Sequence, residues 1–419
     1  MLDLLLGIDV GTTYCKAAVV DLSGGAIAHA RVFTPWRRVP TGAEIEPERF
    51  VDAAASAARE ALGRAPDGRV VALGVTSMAE TGALLDARGK PVAPAIAWHD
   101  ERGRPGAEAF ARILGKERFT AITGLPATAL CTLSKYRWLR DNHAGSERSV
   151  RWLNVAEWVV RGLGGDEVGD LSLASRTGML ELDGQAPWRE ALDWAGAPPG
   201  LLPEPIPSGT PAGRVSRTLE AARGAVLAVA GHDHLCAAVG AGAVREDDVF
   251  DSCGTAEAFV RSVPAPFPHE LRLRAAASGV TVGWHAIAGR QALLGGFEAG
   301  LVLDRLGGDV GAGEDSLPAA EDEDERLRVL EGLAARGKAV LDAIADVAGP
   351  ASRMVVTGGG ARDESALAIK RAALGPFERP RVEEAGARGA ALLAGCAAGL
   401  FAGVDELPAP AGTRTEALL

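Results

Sequence analysis

The chain opens with short apolar runs broken at close intervals. "LLLGIDV", "CKAAVVDL" and "AIAHARVF" are separated by "GTT" and "SGG", a pattern that predicts three strands in a meander. "EPERFVDAAASAAREALGRA" then places its apolar residues at helical spacing, and "RVVALGVTSM" returns to a strand. A Gly-Lys-Pro turn in "LLDARGKPVAPAIAW" divides two further strand-like runs. Residues 106–165 are mostly helical in pattern, with Trp138, Trp152 and Trp158 expected to anchor a core. The stretch "GQAPWREALDWAGAPPGLLPEPIPSGTPAG" is rich in Pro and Gly and reads as a long connector near a domain boundary.

A second apolar block starts at "GAVLAVAGHDHLCAAVGAGAV", and "DDVFDSCGTAEAFV" follows it. This last segment repeats the opening pattern: an apolar strand, an Asp, Gly-Thr with a small residue, then another apolar strand. Gly11-Thr12 and Gly254-Thr255 therefore stand in opposite halves, which predicts two related halves turned toward a common cleft. "EDEDERLRVLEGLAARGKAVLDAIADVAG" is a helix whose acidic lead suits a positive helix N-terminus. "SRMVVTGGGARDESALAIKRAALG" reads as strand, triple-Gly turn and helix. "ARGAALLAGCAAGLFAG" closes with a small-residue helix able to pack very closely.

Length and charge narrow the reading. A chain of 419 residues exceeds what one hydrophobic core serves, so two or three domains are expected. The net charge of −11 argues against general affinity for nucleic acid or an anionic membrane. Phosphate binding would then rest on a local device such as backbone N–H groups. The five cysteines are scattered without CxxC spacing, as in a reduced cytoplasmic protein. "MLDLLLGIDVG" has no basic n-region and too short an apolar run for a signal peptide, and no window approaches the ~20 apolar residues of a membrane span.

The turns carry the candidate chemistry. In "GIDVGTTYCKAAVV", Gly11 lets backbone approach a ligand, Thr12 and Thr13 add hydroxyls, and Lys16 adds a point charge. Asp9, at the end of an apolar strand, suits a Mg²⁺ ion held through water. GxxxxGK[ST] spacing is missing and a strand follows, so this is not a Walker loop. In "VVTGGGARDES", Gly358, Gly359 and Gly360 would set backbone and a helix N-terminus against a nucleotide, with Asp363 just beyond. Asp233 lies between His232 and His234 after an apolar strand. Three successive residues do not easily face one ion, so the better reading is a carboxylate at a cleft mouth that accepts the proton of an attacking hydroxyl. The same Asp233 also suits a helix N-cap.

Taken in order, these motifs resemble the FGGY carbohydrate kinase family of the actin-like ATPase superfamily. "GIDVGTTYCKAAVVD" resembles its first phosphate motif, and "GVTSMAETGALLDARGKPVAPAIAWHDERG" its substrate strand with a Trp-x-Asp-x-Arg segment. "AGHDHLCAAVGAG" resembles the region of its catalytic Asp, "DSCGTAEAFV" its second phosphate motif, and "VVTGGGARDESALAIKRAALG" its adenosine motif. The resemblance implies an α/β fold of two ribonuclease-H-like domains with an interdomain cleft, at residues 1–223 and 224–419, the second shortened. It implies ATP and Mg²⁺ as cofactors and a small sugar, ketose, polyol or sugar acid as acceptor, with a homodimer by analogy. Carried over, Asp233 is the general base and Asp9 the Mg²⁺-side carboxylate. Gly11, Thr12, Thr13, Lys16, Gly254, Thr255, Gly358, Gly359, Gly360 and Asp363 face the nucleotide, while Glu80, Trp98, Asp100, Arg102, Asp233 and His234 face the substrate. Glu80 falls where glycerol kinases carry Arg-Glu-Thr, here Ala79-Glu80-Thr81, and the Gln-Met-His-Gly of xylulokinases is missing. Asp100 and Arg102 read equally well as an ion pair beside the cleft. The alternatives from other classes are a silent sugar- or nucleotide-binding regulator on the same fold and a chaperone-like or filament-forming ATPase.

Overall fold

Two sheets built on one plan make up the framework. The computed structural model describes residues 2–253, 256–299, 323–358, 364–412 and 414–416. In the first sheet, β1 (Leu2–Val10), β2 (Tyr14–Asp21) and β3 (Ala26–Phe33) form the expected antiparallel meander. β4 (Gly68–Ser77) then pairs parallel to β1, and β5 (Val226–His232) pairs parallel to β4. Residues 211–214 complete the far edge, giving the order 211–214, β5, β4, β1, β2, β3.

The second sheet repeats this. β6 (Asp248–Cys253), β7 (Ala256–Pro264) and β8 (Arg290–Glu298) are antiparallel neighbours, and β9 (Arg353–Thr357) and β10 (Phe377–Arg379) add in parallel beyond β6. The strand sequence β3–β2–β1–β4–β5 thus corresponds to β8–β7–β6–β9–β10, with the same pairing sense at every step. β1–β2 and β6–β7 are thus equivalent antiparallel pairs in the two halves. The parallel strands read as near-continuous apolar runs because both of their faces are covered.

Helices do the covering. α1 (Glu48–Arg64) buries Phe50, Ala53, Ala54, Ala57, Ala58 and Ala61 at three- and four-residue spacing, a stripe that packs on β2 and β3. α2 (Thr132–Asn142) and α3 (Val155–Gly162) follow in the first half, α3 against β4 and β5, and α4 (Asp233–Gly240) follows β5 directly. α5 (Glu323–Ala348) and α6 (Glu364–Leu374) belong to the second half. α7 (Ala385–Ala397) returns to the first sheet and packs on β1, β4, β5 and α4. Its close seat depends on small residues: a Cβ on Gly7 or Gly74 would overlap the carbonyl oxygens of Ala387 or Ala390.

Three expectations change. Trp152 lies on a strand, Ser149–Asn154, paired antiparallel with Gly82–Asp86 rather than on a helix. Trp152 and Trp158 are buried as expected, whereas Trp138 is half-buried beneath the Arg102 guanidinium. The Pro/Gly-rich stretch is no loose connector; it contains the helix Arg189–Ala195 and buries Trp188, Leu192 and Leu201. Finally, the division at 223/224 falls ahead of β5, whose hydrogen bonds place it in the first sheet. That sheet therefore draws on the chain up to His232.

Candidate active site

Parallel register brings three strand ends together. Val10 of β1 pairs with Ser77 of β4, and Ser77 pairs in turn with His232 of β5. Gly11-Thr12-Thr13, Met78-Ala79-Glu80 and Asp233-His234 consequently leave the same edge of one sheet, the edge where open α/β sheets bind ligands. In the second sheet, Ser252 pairs with Thr357, so the strand ends at Cys253 and Thr357 lie side by side. Gly358 has φ of +109°, and a Cβ there would strike the Cys253 carbonyl, so the position requires glycine. Gly254, Thr255, Gly359, Gly360 and Asp363 lie outside the described residues.

The first turn is held by its carbonyl groups. The oxygen of Gly11 accepts from Thr34 Oγ1 at 2.8 Å, that of Thr12 from Trp36 Nε1 at 2.7 Å, and that of Thr13 from Thr34 N at 3.0 Å. Because C=O and the following N–H are trans across each peptide, the N–H groups of Thr12, Thr13 and Tyr14 are turned away from residues 34–36. That side of the turn presents backbone donors, as anion binding requires. Thr12 Oγ1 accepts from Trp98 Nε1 at 2.9 Å, tying the turn to the substrate-side segment.

Asp9, Lys16, Asp233 and Glu384 form one electrostatic unit. Burial pushes the Asp9 carboxyl up to about 7; Lys16 opposes this, and Asp233 and Glu384 add to it. Its Oδ1 is buried without a hydrogen-bond partner among the described residues. Lys16 lies 3.1 Å from Glu384, at the start of α7. Burial alone would lower the Lys16 pKa, but Glu384 and Asp9 hold it above its ordinary value. Asp233 keeps 24% of its side chain exposed, so it is open to a ligand. Burial would raise its pKa, yet His234, His232, the His234 N–H and Lys16 hold it below the usual carboxylate range.

The three residues His232, Asp233 and His234 do converge, contrary to the sequence reading, with one ligand atom of each within 4.8 Å of the others. Asp233 Oδ1 accepts from His234 N at 2.7 Å and lies 3.2 Å from His232 Nε2. Oδ1 of the carboxylate therefore accepts a backbone hydrogen bond and has the His232 ring close beside it.

On the substrate side, Glu80 has φ of +57°, a strained value for a non-glycine residue and a recurrent mark of functional positions. Two residues that the sequence reading missed hold it there. Arg176 Nε donates to Glu80 Oε1 at 2.8 Å while its Nη1 reaches Thr281 Oγ1 at 2.8 Å. Lys135 Nζ, on α2, donates to the Leu130 carbonyl at 2.7 Å and lies 3.5 Å from that of Glu80. Burial lowers the Lys135 pKa to about 8. Asp100 and Arg102 take the ion-pair reading. Arg102 Nε and Nη2 each donate to Asp100 at 2.9 Å, and Nη1 donates to Glu44 at 3.0 Å. The Asp100 side chain is fully buried, so this pair braces the wall that carries Trp98 rather than reaching into solvent.

Two sheets of matching strand order and sense are the plan of the actin-like phosphotransferases, and comparison with known proteins gives the same result. Residues 4–240 match the N-terminal domain of the FGGY family of carbohydrate kinases. A glycerol kinase of Methylibium petroleiphilum is 31% identical over 465 residues, covering 97% of this chain and 93% of the relative. A xylulose kinase of Streptomyces rubiginosus is 28% identical over 443 residues, covering 99% and 91%. The crystal structure of a xyloylose kinase from Brucella ovis superposes with a TM-score of 0.84 at 24% identity, over 99% of this chain and 95% of that one. The chain belongs to the FGGY family of carbohydrate kinases, with the expected actin-like two-domain α/β fold. Family members are ATP-dependent sugar and polyol kinases, which implies ATP as a ligand. No helix among the described residues is long and apolar enough to cross a membrane.

Proposed function

We propose that this protein transfers the terminal phosphoryl group of MgATP to a hydroxyl of a small sugar, ketose, polyol or sugar acid. The observation that supports this most strongly is the position of Asp233. It leaves β5 beside the turns bearing Thr12 and Glu80, remains partly open, and interacts electrostatically with Lys16 and Asp9. In this reading the acceptor lies between Glu80 and Asp233, with Trp98 and His234 along its sides. The N–H groups and hydroxyls of Gly11-Thr12-Thr13 hold phosphate oxygens, and Lys16 adds its charge at their margin. Gly358 and its neighbours receive the adenosine. Asp233 accepts the acceptor's proton late, as its oxygen becomes bonded to phosphorus.

The orphaned Oδ1 of Asp9 fits a cation, directly or through a water, and burial leaves this carboxylate in need of positive charge. Mg²⁺ bound there would neutralise charge on the phosphate oxygens. Our reading of the domains keeps two lobes, with β5 counted in the first. It also places the protein in the cytoplasm, as a homodimer by analogy and without a nucleic-acid partner, in keeping with its net charge of −11.

The test is ADP release coupled to a reporter over a panel of pentuloses, hexuloses, polyols and aldonates. The expected result is saturable, acceptor-dependent turnover with one class preferred. ATP hydrolysis at the same rate with and without every acceptor would overturn the proposal in favour of an ATPase of another kind, and no turnover at all in favour of a silent binding protein.

A further inference from the structure

The junction of β5 and α4 is built with more care than a helix start requires. The pairing of β5 with β4 shifts register between Val229 and Gly231, a bulge that re-aims the residues after it. Gly231 has φ of +107°, and a Cβ there would overlap Ser172 Oγ. The Gly231 carbonyl accepts from Thr76 Oγ1 at 2.7 Å, and His232 N donates to Ser172 Oγ at 3.0 Å. Ser172 Oγ is itself fixed on Asp170 Oδ1 at 2.6 Å. The backbone of His232 is thus anchored on both sides, and its side chain is only 6% exposed.

The tautomer follows from the surroundings. Nε2 lies 3.2 Å from Asp233 Oδ1, whereas Nδ1 is buried with no partner among the described residues. Placing the hydrogen on Nδ1 would leave a buried donor unpaired and set a lone pair against a carboxylate oxygen. Placing it on Nε2 turns a donor toward that carboxylate and leaves Nδ1 a buried acceptor, the smaller cost. Burial depresses the His232 pKa to about 4, against the pull of Asp233, so the ring is neutral at physiological pH and holds one hydrogen to place. His234, Glu80 and Arg176 are the other charged or titratable groups that act on this ring.

We propose that His232 is a positioning residue for phosphoryl transfer: its Nε2–H and the His234 N–H together hold Asp233 Oδ1, which commits Oδ2 to the acceptor's hydroxyl. This rests on the reading of Asp233 as the base. Without His232 the carboxylate would keep one donor and regain rotation about its Cβ–Cγ bond, so its two oxygens would no longer be distinguished. A misdirected base lowers the rate of transfer without altering how ATP is held.

The experiment compares three variants in the full-length protein, with kcat and KM measured for ATP and for the best acceptor. His232→Gln retains an amide N–H near the position of Nε2, while His232→Asn ends short of it and His232→Leu has no donor. The expected result is a kcat loss of about 10–100-fold for the Asn and Leu variants, with the KM for ATP unchanged and most of kcat recovered by Gln. Equal loss in all three variants, or wild-type kcat in Asn and Leu, would overturn the proposal. If Leu does not fold, the Asn–Gln contrast decides alone. Asp233→Asn, measured alongside, separates the two readings. Wild-type kcat there removes the base and this inference together, whereas a dead Asp233→Asn beside an unaffected His232→Asn removes the inference alone.

Discussion

Asp9 and Asp233 leave the same edge of the first sheet, on β1 and β5, with β4 between them, yet they are pushed in opposite directions. Asp9 is driven up to about 7, while Asp233 is held below the ordinary carboxylate range. Burial acts on both, so it does not make the difference. Asp233 begins α4, where a backbone N–H and the His232 ring reach one of its oxygens. Asp9 lies in a strand whose backbone donors are spent on sheet pairing, and its Oδ1 meets none. A carboxylate supplied with fixed donors stays ionised and aimed; one left without them is completed by something brought in. When environments separate the pKa values of neighbouring acids, they also separate their tasks.

The largest effect is expected from removing the aimed carboxylate. Asp233→Asn should reduce kcat by about 10²–10⁴-fold while ATP affinity, measured by calorimetry, stays within about threefold. Near-normal kcat would end the base assignment. Asp9→Asn removes the other member and should cost about 10²-fold in kcat. It should also abolish the dependence of nucleotide affinity on Mg²⁺, which Asp233→Asn leaves in place. If both variants lose Mg²⁺ dependence equally, the two carboxylates do not have separate tasks.

Much of this arrangement is legible in the sequence because local pattern and tertiary use coincide. The Gly11-Thr12 hairpin, the Ala-rich face of α1 and the small-residue helix α7 each announce themselves within about twenty residues. What failed to show was decided by distant partners. Arg176 is 96 residues from Glu80, and neither lies in a motif that names the other. Lys135 is 55 residues from Glu80, and its local pattern does not name that partner. Ser149–Asn154 became a strand because Gly82–Asp86 offered an edge, and the Pro/Gly-rich stretch folded because Trp188 and Leu201 had a core to enter. β5 runs without a break into α4, so the apolar pattern suggested a new domain where the hydrogen bonds close the old one.

The separation of the two acids should also be visible in stability. Asp9 has its folded pKa raised above the ordinary 3.8, so its neutral form suits the fold. Its contribution is fully present below about pH 4 and is lost as pH rises through about 7. Glu157 and Glu257, also driven up to about 7 by burial, and Asp170 and Asp248, raised by the same cause, act with the same sign, so a plain pH series mixes several groups. Mg²⁺ isolates Asp9, because a divalent ion binds its charged form. The melting temperature should rise with Mg²⁺ at pH 8, by about 2–4 °C for each kcal/mol of binding in a domain of this size. The rise should shrink below pH 7 and vanish in Asp9→Asn. An equal rise at pH 5 and pH 8 would place the ion elsewhere.

The smallest effect is the sharpest, since two of its readouts should move in opposite directions. A methyl group on Gly386, within α7, would sit 2.5 Å from Asp9 Oδ2 and 3.0 Å from its Cγ. Gly386→Ala therefore forces the carboxylate to turn, while alanine favours the helix by up to about 1 kcal/mol. The Mg²⁺ concentration for half-maximal activity should rise about 3–10-fold, with the melting temperature unchanged or higher. The same variant should leave the response to His232→Gln untouched, because that contact acts on Asp233 alone. A fall in stability with an unaltered Mg²⁺ requirement would mean that Asp9 yields to the methyl without consequence, and the ion would then have to be held by other groups.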